Sequence, residues 1–403
     1  MWSRRKFLGF GTAASVSVPG LARAAVGPVQ TARDLPRIDR YVRLGRTGLT
    51  VSDISFGSAS SADAGLVRHA LDRGVTFFDT AESYRGGRAE EAFGQGLQGA
   101  RDKVVLSSKT KAGVRDDRAD MMAALEGSLR RLRTDYVDIY FLHAVNDVAR
   151  LQNDEWLEFT ERAVRDGKIR FRGVSGHGSR LAECLDYAID NDLADVILAA
   201  YSFGQDPDFY DKLRHAFHFV DLQPELPRIL DKAKQKDIGV VAMKTLMGAR
   251  LNDMRLYERD GVTFAQAAFR WVLSSPRVDG LVISMNSKDR IDEYVTASGD
   301  PEIRGGDLPL LARYLYQQNA RYCRPGCDLC EGACPDKVEI AEVLRTRMYD
   351  VDYDNPQLAR DDYAVLGRDA GACLSCAHKA CLGACPYGVP IPDFTGDAAR
   401  RFG

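Results

Sequence analysis

"KVVLSSKTKAGVRDDRADMMAALEGSLRRLRTDYVDIYFLH", residues 103–143, decides the fold. It opens on an apolar run, passes through a stretch of helical spacing, and returns to a second apolar run. Apolar runs without alternation mark strands buried on both faces, the condition of parallel strands covered by helices. The neighbouring segments repeat this unit. Candidate strands are "DISFG" (53–57), "VTFFDT" (75–80), "KVVLSSK" (103–109), "VDIYFLH" (137–143), "RFRGVSG" (170–176), "DVILAAY" (195–201), "GVVAMK" (239–244) and "GLVISM" (280–285). Helical patterns such as "LVRHALDRG", "LEFTERAVRDGK" and "LAECLDYAIDND" lie between them and stop on Gly, Asn or Asp, as helix C-termini often do. Eight strands, each followed by a helix over about 250 residues, predict an α/β protein built on a (β/α)8 TIM barrel. An open doubly wound sheet would carry fewer strands and a GxGxxG turn after the first, which this chain lacks. "YVRLGRTGLTVS" (41–52) reads as a hairpin that closes the barrel bottom.

Composition sets the class. At 403 residues, 45% hydrophobic and 28% charged, the chain can bury a large core without crosslinks. A net charge of -2 and the lack of any basic stripe argue against a nucleic-acid partner. At the N-terminus Arg4 and Arg5 precede Phe7 and Leu8, a weakly apolar stretch runs to Leu21, and Ala22-Arg23-Ala24 offers a peptidase site. The stretch is too short and too polar for a stable membrane span. The pattern resembles a twin-arginine signal, the address of proteins exported already folded, and implies a periplasmic or extracytoplasmic location.

Barrel enzymes place their chemistry at the C-terminal ends of the strands. Asp79 follows the second strand, Tyr84 lies in the loop after it, Lys109 ends the third and His143 ends the fourth. Each alone has a structural explanation, as a cap, a packing aromatic or a core histidine. Together they fit a general-acid site for a carbonyl group. A nearby ammonium would lower the pKa of a tyrosine, ordinarily about 10, a carboxylate would hold that lysine charged, and the imidazole would align the carbonyl oxygen.

"DTAESYRGGRAEEAFGQGL" (79–97), "SSK" (107–109) and "YFLH" (140–143) resemble the aldo-keto reductase family, and the likeness runs over roughly 41–297. It implies Tyr84 as proton donor and NADP or NAD held extended across the barrel mouth. By matching position it also implies Ser175 and His177 near the nicotinamide amide and Tyr201 near the ring face. The phosphate end departs from the family: Arg290 is kept, but Ser284 and Met285 stand where a Lys-Ser pair is common, and Tyr294 replaces an Asn. Backbone N–H groups near Asn286, Ser287 and Lys288 are the remaining phosphate donors.

Eight of the nine cysteines form two motifs, "CRPGCDLCEGACP" (323–335) and "CLSCAHKACLGACP" (373–386). Closely spaced cysteines ending in Cys-Pro resemble the bacterial iron–sulfur run. Two such motifs, with helical sequence between, imply a small, mostly α-helical ferredoxin-like domain holding two [4Fe-4S] clusters. The crossed arrangement of that family groups Cys323, Cys327, Cys330 and Cys385 around one, and Cys334, Cys373, Cys376 and Cys381 around the other. Tetrahedral zinc and disulfides are the alternatives. His378 reads as a bystander and Cys184 as helix packing. An exported chain would ordinarily favour disulfides, but export in the folded state lets clusters be assembled in the reducing cytoplasm first.

The chain thus divides into a signal (1–24), a linker (25–40), the barrel (41–298), a connecting segment (299–322) and the cysteine domain (323–403). The leading expectation is an exported oxidoreductase acting on a small carbonyl substrate, coupled through its clusters to a redox partner protein. The other is an electron-transfer subunit that keeps the barrel as scaffold. Mouth loops such as 202–222 are expected to choose the substrate.

Overall fold

The computed structural model describes residues 35–213, 225–247, 254–259 and 261–403. The export signal, most of the linker and part of the 202–222 loop lie outside the described residues. β1 (Tyr41–Arg43) and β2 (Thr50–Ser52) form an antiparallel hairpin. The barrel follows as β3 (Ile54–Gly57), β4 (Phe77–Asp79), β5 (Val105–Thr110), β6 (Val137–Leu142), β7 (Ile169–Gly176), β8 (Val196–Ala200), β9 (Gly239–Met243) and β10 (Gly280–Ser284). All pairs are parallel, and β10 joins both β9 and β3 to close the ring. Each strand agrees to within two residues at either end with the apolar run that predicts it.

Burial on both faces explains those continuous runs: every residue of β5 and β6 is buried. Alternate residues then go to different cores. Phe77, Val105, Ile139, Phe141, Val196, Leu198, Val241 and Val282 fill the barrel, with Leu44, Leu49 and Val51 of the hairpin beneath them. Phe78, Leu106, Tyr140 and Leu142 face outward into the helix layer. The hairpin plugs the bottom closely enough to need glycine: Gly45 has φ +49°, and a Cβ there would stand 2.2 Å from the Gly239 nitrogen.

The connecting segment is a packed element rather than a free linker. Its helix, Asp307–Gln318, lies on the last-but-one barrel helix, Phe264–Leu273, with the Phe264 and Tyr314 rings 4.4 Å apart. Arg270 donates twice to Asp307, at 2.8 and 2.6 Å, in a fully buried pair. Beyond residue 284 the described residues hold helices and turns and no further strand. Ile340–Val351, Pro356–Ala364 and Ile391–Phe402 surround a separate apolar core of Val338, Val343, Leu344, Tyr363, Val389 and Ile391.

The sequence gives no hint of where this second core sits. It lies across the barrel mouth, and Pro36–Gly403 forms one compact unit. Asn146 donates to Glu342 at 3.1 Å, the Gly326 N–H to the Gly178 carbonyl at 2.9 Å, and Arg85 to the Asp354 carbonyl at 3.0 Å. Among the described residues no helix is long and apolar enough to cross a membrane.

Candidate active site

Three consecutive strand ends and one turn build the centre. Lys109, near the end of β5, donates from Nζ to Asp79 Oδ2 and to the Thr80 carbonyl, both at 2.6 Å. Ser107 donates to the other oxygen of Asp79 at 2.6 Å. Tyr84 is set by a turn in which Arg85, Gly86 and Gly87 are all left-handed. Gly87 has φ +87°, and a Cβ on it would meet Arg131 at 2.9 Å. The Tyr84 ring stands 5.0 Å from Lys109 Nζ and edge-on to His143, with ring centres 5.5 Å apart.

The electrostatics differ from the sequence expectation at one point. The Tyr84 phenol is pushed well above its ordinary range, first by burial and then by the Asp79 carboxylate. Burial is the larger cause and the ion pair adds to it: Asp79 sits on the Lys109 ammonium and offsets the charge that would have drawn the phenol down. Burial likewise lowers Lys109, against the pull of Asp79. Burial, with Lys109 and Lys111 nearby, holds His143 well below the usual histidine range, so it is a neutral imidazole at pH 7. The mouth therefore presents a protonated phenol beside a neutral ring, with Lys109 already paired to Asp79.

A cavity of about 1230 Å³, solvent-open part included, joins these groups to the ends of β9 and β10. Asp79, Tyr84 and His143 line it, as do Ser284, Asn286, Tyr294 and His177. The other nucleotide-contact candidates do not reach its surface. Ser175 is buried, accepting from the Ala144 N–H at 3.0 Å. Tyr201 is buried in the wall and donates to the Asp206 carboxylate. Ser287 caps the helix Lys288–Val295, and Arg290 turns outward to Glu293 at 2.7 Å. Met285 is fully buried.

Residues that the sequence did not single out form the roof. Tyr349, Tyr353, Leu358 and Asp362 come from the cysteine domain and line the same cavity. Asp362 accepts from Lys111 and from Arg345, and Arg345 also donates to the Tyr349 hydroxyl at 3.1 Å. That hydroxyl is 3.4 Å from His177 Nε2. Lys244, one residue past β9, was within reach of the strand-end rule that found His143. The roof tyrosines were not.

None of the nine cysteines is disulfide-bonded. Cys184 is buried in the helix Leu181–Asp190, with its thiol pushed up to about 12 by burial. His378 is exposed. Cys323, Cys327, Cys330 and Cys385 line one small cavity, and Cys334, Cys373, Cys376 and Cys381 line another. Among the described residues no group of three or more His, Cys, Asp or Glu side chains is placed to hold a metal ion.

A closed parallel barrel with a buried lysine–carboxylate pair, a phenol and a neutral imidazole at its C-terminal mouth is the architecture of a barrel oxidoreductase. Residues 55–260, just over half of the chain, match the Aldo/keto reductase family, and the chain belongs to it. L-glyceraldehyde 3-phosphate reductase of Escherichia coli (strain K12) is 24% identical over 303 residues, covering 64% of this chain and 87% of that protein. The NADPH complex of an aldo-keto reductase from Klebsiella pneumoniae superposes with a TM-score of 0.51 at 28% identity, over 70% of this chain and 95% of that one. The holo form of an aldo-keto reductase from Bacillus halodurans shares the fold, with a TM-score of 0.53 at 21% identity over 68% of this chain and 95% of that one. The family match stops short of the cysteine segment.

Proposed function

We propose that the protein interconverts a carbonyl and an alcohol on a small substrate at the barrel mouth, with Tyr84 as general acid and a nicotinamide nucleotide as redox cofactor. We further propose that its eight motif cysteines hold two [4Fe-4S] clusters, and that it is exported folded to serve a redox partner outside the inner membrane. The observation that carries the reading is the single cavity joining Tyr84 and His143 to Ser284 and Asn286.

The residues fit a nicotinamide nucleotide along that cavity. His177 and the β10 end, with Ser284 and Asn286, would hold it, and N–H groups at the start of Lys288–Val295 would face its phosphates. Bound there, the nucleotide supplies or accepts the hydride. Tyr84 hands its proton to the carbonyl oxygen, a transfer typically worth 10²–10⁴-fold. Burial keeps the proton on the phenol until that moment. Neutral His143 aligns the oxygen, and Lys109, 5.0 Å from the Tyr84 ring, steadies the phenolate left behind. The roof of Tyr349 and Tyr353 keeps bulk water away from the reacting centre.

The cysteines also fit the clusters. Each cavity offers four thiols and otherwise mainly apolar walls, with Ile391 shared between the two. Four thiols around one cavity suit a four-iron cube, which takes one at each corner, and they also suit a tetrahedral zinc ion. Arg324, nearly fully buried beside Cys323, adds positive charge that would offset the thiolates of that ring. Bound clusters would carry electrons one at a time.

One observation favours the scaffold reading. Arg290, the basic residue kept from the family's phosphate grip, is engaged by Glu293 and does not line the cavity. Protein isolated anaerobically from the exported fraction separates the two. The expected result is about eight iron atoms per chain and a nicotinamide nucleotide released on denaturation, with NADPH raising the melting temperature of the emptied protein. Iron without any nucleotide or NADPH shift would establish the scaffold reading. Stoichiometric zinc without iron would overturn the clusters.

A further inference from the structure

We propose that Lys244 anchors an anionic group, a carboxylate or a phosphate, on the substrate of the barrel mouth. This rests on the carbonyl-reducing reading and adds the charge class of the substrate to it. Lys244 follows β9 on the same rim from which His143 follows β6. Its backbone is left-handed, with φ +56°, a conformation a lysine keeps only where its surroundings enforce it. The side chain lines the cavity that holds Tyr84 and His143. Its Nζ stands 5.4 Å from the ring centres of both Tyr349 and Tyr353.

The cations near it are matched. Lys109 is paired with Asp79, Lys111 with Asp362, and Arg345 with Glu342 and Asp362. Among the described residues Lys244 alone of these four has no hydrogen-bond acceptor and no carboxylate in ion-pair contact; Asp362 and Glu342 act on it only from further away. An unpaired ammonium out of bulk water is costly until something negative reaches it. Burial and then the Arg345 guanidinium lower its pKa to about 7, against the pull of Asp362 and Glu342, so the lysine can take up a proton as an anion binds.

Geometry gives the shape of the ligand. Tyr349 and Tyr353 act electrostatically on Tyr84 and also flank Lys244, and the proton donor and the anchor line the same cavity. A small molecule with a carbonyl at one end and a carboxylate or phosphate at the other spans them. Cofactor phosphates carry the same anionic oxygens, and the test separates the two sources.

Oxalate is the probe, because it stays fully ionised between about pH 6 and 8. Its binding to the full-length protein, nucleotide-loaded, is measured by calorimetry for wild type, Lys244→Met and Lys244→Arg. Lys244→Met should weaken oxalate by about tenfold or more and Lys244→Arg by about threefold or less, with NADPH affinity unchanged in both. Wild-type oxalate affinity should also fall as pH rises through about 7, as the ammonium loses its proton. The charged groups that face it are ion-paired, Arg345 with Glu342 and Asp362 and Lys111 with Asp362, and burial keeps His143 and His177 neutral. Tyr349 is held up at about 12.

Weakened NADPH binding in Lys244→Met would assign the lysine to the cofactor and overturn the substrate anchor. So would oxalate binding that is absent in wild type, or that survives in Lys244→Met and is lost in His143→Ala. Unchanged circular dichroism of Lys244→Met guards against misfolding, and the Lys244→Arg rescue separates charge from shape. Wild type that binds oxalate through Lys244 but no nucleotide would sink the carbonyl-reducing reading and leave the anion site standing.

Discussion

Tyr84→Phe lowers carbonyl reduction by about 10²–10⁴-fold and leaves nucleotide affinity within about twofold of wild type. The substitution removes one hydroxyl and keeps the ring that packs edge-on to His143 and stands 5.0 Å from Lys109 Nζ. Binding should survive because the nucleotide-side candidates Ser284 and Asn286 are left untouched in the cavity lining. The loss belongs in kcat, since the hydroxyl acts when the proton moves. No neighbour can replace it readily: Lys109 is held by Asp79 and Thr80, and His143 is neutral. Single-turnover oxidation of bound NADPH, followed by its fluorescence, measures the step directly. A variant keeping more than about half of the wild-type rate would remove Tyr84 from the chemistry.

The largest stability effect falls far from the mouth. Asp307→Ala should cost about 3–5 kcal/mol, because it strands the Arg270 guanidinium without its carboxylate. Both side chains are almost wholly buried, and the bond is bidentate at 2.8 and 2.6 Å. Asp307 also accepts the Arg304 N–H at 2.8 Å, so that donor is orphaned too. Asp300, 3.8 Å from Arg270 and partly exposed, offers partial compensation and favours the lower end of the range. Urea unfolding compares Asp307→Ala with Arg270→Met/Asp307→Leu, which removes both charges and should recover much of the loss. If Asp307→Ala unfolds like wild type, the pair does not hold the connecting helix to the barrel.

Barrel and tetrad were legible because their signals are local. "VLSSKT" reads as a doubly buried strand from its own residues, and its next-to-last residue falls at the rim whatever the rest of the chain does. His143 is found in the same way, one residue past β6. The charge state of the site was not legible. A lysine near a tyrosine suggests a lowered phenol, but the direction is set by burial and by how closely Asp79 neutralises Lys109, and only the assembled site shows both. Position alone also gave no sign that the Tyr201 and Arg290 side chains bond to Asp206 and Glu293.

The sequence by itself determined the eight-strand order, the rim positions of Asp79, Lys109 and His143, and the two clusters of cysteine spacing in the last part of the chain. Each is written in spacings of a few residues, where backbone geometry converts sequence directly into position. The tertiary structure alone decided that the cysteine domain roofs the barrel, that Tyr349 and Tyr353 flank Lys244, and that Asp362 holds Lys111. Those contacts join partners 251 residues apart at Lys111–Asp362 and 196 apart at Asn146–Glu342. No local period encodes such a pairing. It follows from which faces remain uncovered once both apolar cores have formed, and so it exists only in the folded chain.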